Sequence, residues 1–397
     1  MRAFFRGLAK GIIGCTLVLL LAGAVCYGTG FLDGLLPKRR MASVEVPKVQ
    51  VVEPTREAAG ENQEEQDPFA DSSQEESLET GSEEIHLLFA GDLFLTELLQ
   101  TKYQQQGIAA AASSELLEVL EQADAFWLNE EFPFGTTGEA MEEKEYTFRV
   151  DPSYVQLLHD LHVDGVTLAN NHILDFGTGP LSETLELLNQ EQIAHVGAGE
   201  SLEEAKSCST FTLKGKTIGI LGASRVIPEG YWSAGKNHPG VFTTYDPAAL
   251  VQEIAKAKES CDYVIVMVHW GIERSTEPEE YQKSMARQYI DAGADAVIGS
   301  HPHVIQGMEC YQGKPICYSL GNFIFSNRSY ETMLVSLTLE ENGIQVSVIP
   351  CQSEANQMRL MEDPSSFYEN LRSLSPGVEI DADGNIVFDS KTQNVLY

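Results

Sequence analysis

Five short motifs place nitrogen and oxygen donors at the ends of apolar runs: Gly91-Asp92, Asn129-Glu130-Glu131, Asn170-Asn171-His172, His269-Trp270-Gly271 and Gly299-Ser300-His301-Pro302-His303. Imidazole combined with carboxylate and amide oxygen is the donor set of manganese, zinc or iron rather than of calcium or magnesium alone. Two such ions roughly 4 Å apart clamp the attacking and the leaving oxygen of a displacement, and they lower the pKa of bound water towards neutrality. The expectation is therefore one or two divalent transition metal ions. Asp92 would bind one ion, Glu131 would bridge the pair, Asn171 would offer its amide oxygen, and His269, His301 and His303 would supply nitrogens. His172, directly after Asn171, is placed to protonate a leaving group.

A single histidine or aspartate at a strand end is ordinarily a turn or cap residue, so the weight lies in the coincidence. Four of the nine histidines fall at these ends. His-Pro-His is the most specific element, because Pro302 stiffens the link and two imidazoles this close are hard to satisfy in a core without an ion. His86, His159, His162, His195 and His238 read as structural. Substrate contacts are expected from Arg149, Asn129 and Glu273. Arg149 either grips a carboxylate or phosphate with its planar fork or closes a structural ion pair, and Glu273 is alternatively a surface carboxylate. Ser319 to Asn322 would pack beneath the site, with Gly321 permitting close backbone approach.

These donors need elements that converge. Apolar runs at 85–90, 125–128, 165–169, 217–222, 263–268 and 296–298 read as buried strands, and segments 114–122, 154–161, 181–190, 247–258 and 278–291 carry apolar residues at helical spacing. Strand–helix alternation predicts an α/β domain, in which ligands collect at the carboxyl ends of the strands. From about residue 307 the pattern becomes hairpin-like, with strands at 308–311, 316–320, 333–339 and 344–349, so antiparallel strands are added. Past Gln352 one helix, 365–374, is expected. Cys310 and Cys317 would lie opposite each other about a turn centred on Gly313-Lys314, open to a bridge or to free thiols.

The chain has 397 residues, of which 43% are apolar, enough for a sizeable core. Acids outnumber bases by 59 to 26, for a net charge of −33, which excludes a nucleic-acid binder dependent on basic phosphate contacts. Residues 1–10 are basic and 11–36 form an apolar run closed by Lys38-Arg39-Arg40, long enough to span a bilayer. An uncleaved signal anchor is expected, leaving the body extracytoplasmic on a single-pass tether. The alternative, a cleaved signal peptide, would need a better small-residue site than Gly23-Ala24-Val25. Residues 37–84 are acidic and poor in aromatics, and read as a solvated, self-repelling tether. The main domain is expected over 85–352, followed by a C-terminal extension over 353–397.

At the donor motifs the chain resembles the CapA family of capsule synthesis proteins, whose domain is similar to the calcineurin-like metallophosphoesterase fold. The resemblance rests on Ala90-Gly91-Asp92, Asn129-Glu130-Glu131, Leu168-Ala169-Asn170-Asn171-His172 with Asp175 and Gly177, Val268-His269-Trp270-Gly271-Ile272-Glu273, Gly299-Ser300-His301-Pro302-His303-Val304, and Tyr318-Ser319-Leu320-Gly321-Asn322-Phe323. It implies a metallophosphatase-like sandwich of two mixed β-sheets flanked by helices. It also implies a membrane-bound role in making, exporting or trimming poly-gamma-glutamate or a related anionic envelope polymer, within a capsule synthesis complex. Metallophosphatases typically carry Asp-x-His at the first strand; Asp92-Leu93-Phe94 lacks that histidine, and Asn129 and Glu131 replace the second aspartate motif. CapA-type proteins share this departure. Two function classes follow: a metal-dependent hydrolase acting on an amide or phosphoester bond, or a non-catalytic metal-binding assembly subunit.

Overall fold

The computed structural model describes residues 84–340, 343–354 and 357–388. The expected anchor at 11–36 and nearly all of the tether lie outside the described residues. Among those described, no helix is long and apolar enough to cross a membrane.

Two mixed sheets stack face to face. In the first, the strands run in the order Gln357–Leu360, Gly343–Glu354, Tyr330–Glu340, Ile85–Leu93, Ala125–Glu130, Gly165–Thr167, Ala194–Val196, and Asn322–Ile324 adds to the end of Ile85–Leu93. The second runs Met308–Tyr311, Lys314–Cys317, Ala296–Ser300, Tyr263–His269, Lys216–Ser224, Ser209–Leu213. The strands that carry donor motifs are parallel to their neighbours (Ile85–Leu93 with Ala125–Glu130 and that with Gly165–Thr167; Tyr263–His269 with Ala296–Ser300), whereas the C-terminal strands of the first sheet pair antiparallel.

Period-two side-chain alternation explains the layers. Leu87, Phe89 and Trp127 point into the core between the sheets with Ile265, Met267 and Ile298. Leu88, Ala90, Phe126 and Leu128 point the other way, against Leu181, Leu185 and Leu188 of helix Thr178–Gln190. Across the molecule, Val264, Val266 and Val268 face Leu250, Ile254 and Ala257 of helix Ala248–Lys258. Apolar positions four and three residues apart on each helix form the stripe that covers a sheet. The result is an α/β fold of two mixed sheets flanked by helices.

Sequence periodicity reached the donor-bearing strands but overran one of them and one strand beside them. The strand expected at 165–169 ends at Thr167 and that at 316–320 ends at Cys317, because the residues that follow leave their sheets to build the site. The helix expected at 154–161 opens with a 3-10 turn, Pro152–Val155, before Gln156–Asp160. The tail contributes more than one helix: Phe367, Tyr368 and Leu371 of Ser365–Leu374, with Ile380 and Ile386 of a following hairpin, enter the core between the sheets.

The hairpin of the second sheet corrects the expected cysteine register. Tyr311 pairs with Lys314 across Gln312-Gly313, so Cys310 faces Pro315 and Cys317 faces Met308. Cys310 and Cys317 are offset by two pairs, and both are free thiols.

Candidate metal centre

The carboxyl ends of both sheets meet at one point. Asp92 closes the first strand, fully buried, and accepts the His301 backbone N–H at 3.3 Å on Oδ2. Its other oxygen accepts Asn129 Nδ2 at 2.8 Å, and the same amide reaches Glu131 Oε2 at 3.3 Å. Asn170 holds Asn129 in place, donating to its Oδ1 at 3.1 Å and to the Glu130 carbonyl at 2.7 Å. From the second sheet, His269 lies with Nε2 2.7 Å from Asn171 Oδ1 and Nδ1 3.0 Å from Ser300 Oγ. His303 Nδ1 is 3.1 Å from Asp92 Oδ2 and 2.9 Å from Asn322 Oδ1.

Donor atoms converge in two groups, Glu131 with His269 and His301, and Asp92 with Glu131 and His303, the atoms of each lying within 4.8 Å of one another. Glu131 belongs to both groups, the position of a bridging carboxylate. Two of these atoms, Glu131 Oε1 and His301 Nδ1, are buried with no hydrogen-bond partner. A buried polar atom without a partner costs about 1–3 kcal/mol, and a bound cation is a partner that residues of this donor group can share. The backbone agrees: His301 and His303 sit at φ 100° and 58°, conformations that cost roughly 1–3 kcal/mol each for residues with a side chain and persist at sites that use them.

Charge makes the same demand. Burial and the neighbouring Asp92 push the Glu131 carboxyl well above its usual range. Burial pulls His269 well below the ordinary imidazole value and, with His303 adding to it, lowers His301 to about 3, so both rings are neutral and able to donate a lone pair. Burial works against a charged His303, but Glu131 and Asp92 outweigh it and push it up to about 10. A dry pocket with two carboxylates calls for positive charge, and a divalent cation supplies it. The residues therefore fit one or two transition metal ions.

His172 stands beside this cluster, its Nε2 3.9 Å from Glu131 Oε1 and its Nδ1 2.7 Å from Asp175 Oδ2. Asp175 is buried and also receives the Lys144 ammonium and the Phe148 backbone N–H. Lys144 further binds the Asn171 carbonyl. Burial lowers the pKa values of both Lys144 and His172, against the pull of Asp175. The His172 ring is stacked on Phe148 at 4.0 Å, and Phe148 on Phe94 at 3.9 Å.

The structure brings together Asp92, Asn129, Glu131, Asn171, His172, His269, His301 and His303. Arg149 is not among them. Its guanidinium binds the Thr137 and Gly138 carbonyls and lies 4.1 Å from the Phe176 ring centre, so it fastens a loop, and its neighbour Phe148 is the residue that touches the site. Asn129 cross-links two carboxylates from within the centre. Glu273 is exposed on the rim, where its charge bears on Lys144. Sequence reading missed Lys144, which carries no motif, and gave Phe148 no role at the site. It also missed Ser300 as the residue that orients His269.

The family described as bacterial capsule synthesis protein PGA_cap matches residues 86–327. The chain belongs to this family. The matched stretch contains every residue of the centre. Relatives in the family include the PGA biosynthesis protein CapA of Bacillus subtilis, 34% identical over 256 residues, covering 62% of this chain and 67% of the relative. The capsule biosynthesis protein CapA of Bacillus anthracis is 34% identical over 193 residues, 47% of this chain and 46% of that protein. A probable polyglutamine synthesis accessory protein of Mycobacterium tuberculosis is 31% identical over 283 residues, 65% of this chain and 74% of the relative. Among solved structures, the NAD nucleotidase of Haemophilus influenzae superposes with a TM-score of 0.41 at 14% identity, covering 78% of this chain and 58% of that one. A 5'-nucleotidase from Candida albicans gives 0.38 at 12% identity, covering 67% and 51%.

Proposed function

We propose that this CapA-family protein is a metal-dependent hydrolase that acts in the synthesis, export or trimming of poly-gamma-glutamate or a related anionic envelope polymer, held outside the membrane by an anchor at 11–36. The observation that carries the reading is the pairing of an unpartnered, buried Glu131–His301 donor set with the His172–Asp175 dyad beside it. Family membership supports the capsule setting, since the relatives are named for that process.

Asp92, Glu131, Asn171, His269, His301 and His303 would hold the metal. When bound, it would polarise the scissile bond and make water acidic enough to attack at neutral pH. The chain does the rest. Asp175 accepts from His172 Nδ1, which selects the tautomer with Nε2 facing the centre. His172 Nε2 takes a proton from the attacking water and delivers it to the leaving atom, while Asp175 stabilises the ring in its charged state. Phe148 fixes the plane of the imidazole by stacking.

The test is chain shortening of poly-gamma-glutamate, with phosphoesters in parallel, by full-length protein loaded with manganese, zinc or iron. His172→Ala should lower turnover by about 10²–10⁴, as expected for loss of a proton donor, with metal content unchanged. A wild-type protein that binds metal and polymer but turns over no substrate would overturn the hydrolase reading and leave a non-catalytic assembly subunit.

A further inference from the structure

A protein of net charge −33 repels a polyanion at long range, so recognition of one must come from particular cations at short range. The described residues contain seven arginines. Five are committed: Arg149 to loop carbonyls, Arg225 to two tyrosine rings, Arg287 to Glu309, Arg359 to Glu354 and Arg372 to the Ile380 carbonyl. Arg274 and Arg328 alone have no hydrogen bond or ion pair from their guanidinium to any described residue, and both are exposed.

Both belong to the rim of the metal centre. The Arg274 backbone N–H donates at 2.7 Å to the carbonyl of Pro302, the residue between His301 and His303, and Arg274 adopts φ 62° to do so. Arg328 follows Phe325, whose ring lies 4.5 Å from the His303 ring and 5.8 Å from Phe148. Its loop is tied down where Thr96 Oγ1 meets Asn327 Oδ1 at 3.3 Å. Tyr146 stands 62% exposed, its phenol pushed up by the neighbouring Glu145 carboxylate against the pull of the Arg274 and Arg328 charges. The rim is not uniformly basic, since Glu145 and Glu273 share it, so attraction comes from two points rather than a broad field.

We infer that Arg274 and Arg328 are the substrate-gripping residues, each taking a pendant carboxylate of an anionic chain so that the bond between them is laid across the metal centre. The inference rests on the proposed polymer reading and adds the residues that recognise it. A guanidinium presents a planar fork that binds a carboxylate or a phosphate through two parallel hydrogen bonds. Its strained backbone ties Arg274 to the metal-binding loop, so this grip and the reacting centre are held in one register. Two contacts select for a repeating anion over a single one, because the second is made at high effective concentration.

The experiment measures Kd for fluorescent poly-gamma-glutamate on metal-loaded, full-length protein, with amidated polymer as the neutral control and polyphosphate as the second anion. Arg274→Ala and Arg328→Ala should each weaken binding of poly-gamma-glutamate by about tenfold to a hundredfold, with metal content unchanged. Arg274→Lys and Arg328→Lys should recover only part of it, and the amidated polymer should bind weakly to all variants alike. If wild type binds poly-gamma-glutamate and both alanine variants bind it equally well, the arginine grip is overturned while the polymer reading stands. If wild type binds only polyphosphate, with loss in both variants, the grip stands and the poly-gamma-glutamate reading falls. If wild type binds neither anion, both fall.

Discussion

Gly91 and Gly321 meet backbone to backbone. The Asp92 N–H donates to the Gly321 carbonyl at 3.0 Å, and a Cβ at position 91 would lie 1.8 Å from that oxygen. The contact joins the end of the strand that carries Asp92 to the turn that leads into Asn322, the residue bonded to His303. Gly91→Ala should therefore act as a metal-site mutation without removing a ligand. Separation of the two segments is expected to cost roughly 1–3 kcal/mol of stability and to lower metal occupancy, read by thermal melting and elemental analysis of the same sample. An alanine variant with wild-type melting and metal content would show that the approach is not needed.

The ligand residues should separate by group. His301→Ala removes a donor from the group containing His269, and His303→Ala from the group containing Asp92. Each is expected to lose or weaken one ion while leaving the circular dichroism spectrum unchanged, because the side chains stand at strand ends and outside the apolar clusters. Asp92→Ala should do the greater damage, since it leaves His303 without its 3.1 Å partner and Asn129 without its shorter, 2.8 Å acceptor. Full metal content in all three variants would refute the assignment.

Phe148 should matter for turnover and not for metal. Truncation to alanine leaves the His172 ring free to rotate away from the centre, and misplacement of this kind costs about 10- to 10²-fold in kcat. Metal analysis should match wild type. A variant with unchanged kcat would reduce Phe148 to packing.

The two cysteines of the hairpin should behave as unlinked thiols of different access. Burial pushes the Cys317 thiol up to about 12, and it raises Cys310 less far. Iodoacetamide on the native protein, with no reductant, should label Cys310 slowly and Cys317 only after unfolding. A non-reducing peptide map showing the two joined would contradict the observed register.

Placement outside the membrane is tested by protease on intact cells. Release of a soluble fragment beginning within residues 41–84 is the expected outcome, from the apolar run at 11–36 and the acidic stretch after it. Protection until lysis would place the body on the other side.

Much of the centre was legible in the sequence because a strand end is a local event. Apolar runs that stop at Asp92, Glu131, His269 and His301 announce donors at the carboxyl edge, and Pro302 between two histidines has few other uses. The α/β layering follows from the same runs, since alternation within Ile85–Leu93 and Tyr263–His269 dictates two buried faces. Tertiary structure decided what depends on partners distant in sequence. Arg149 and Arg274 look alike in the chain, yet one is spent on the Thr137 and Gly138 carbonyls and the other is left free above the Pro302 loop. Lys144 lies in a loop with no pattern, and only the fold brings it to Asp175. The hairpin register that separates Cys310 from Cys317 was set by which two residues the turn takes, a choice of one position that composition does not encode. Burial, and with it the direction of every shifted pKa in the centre, likewise arises only when the two sheets close over the same point.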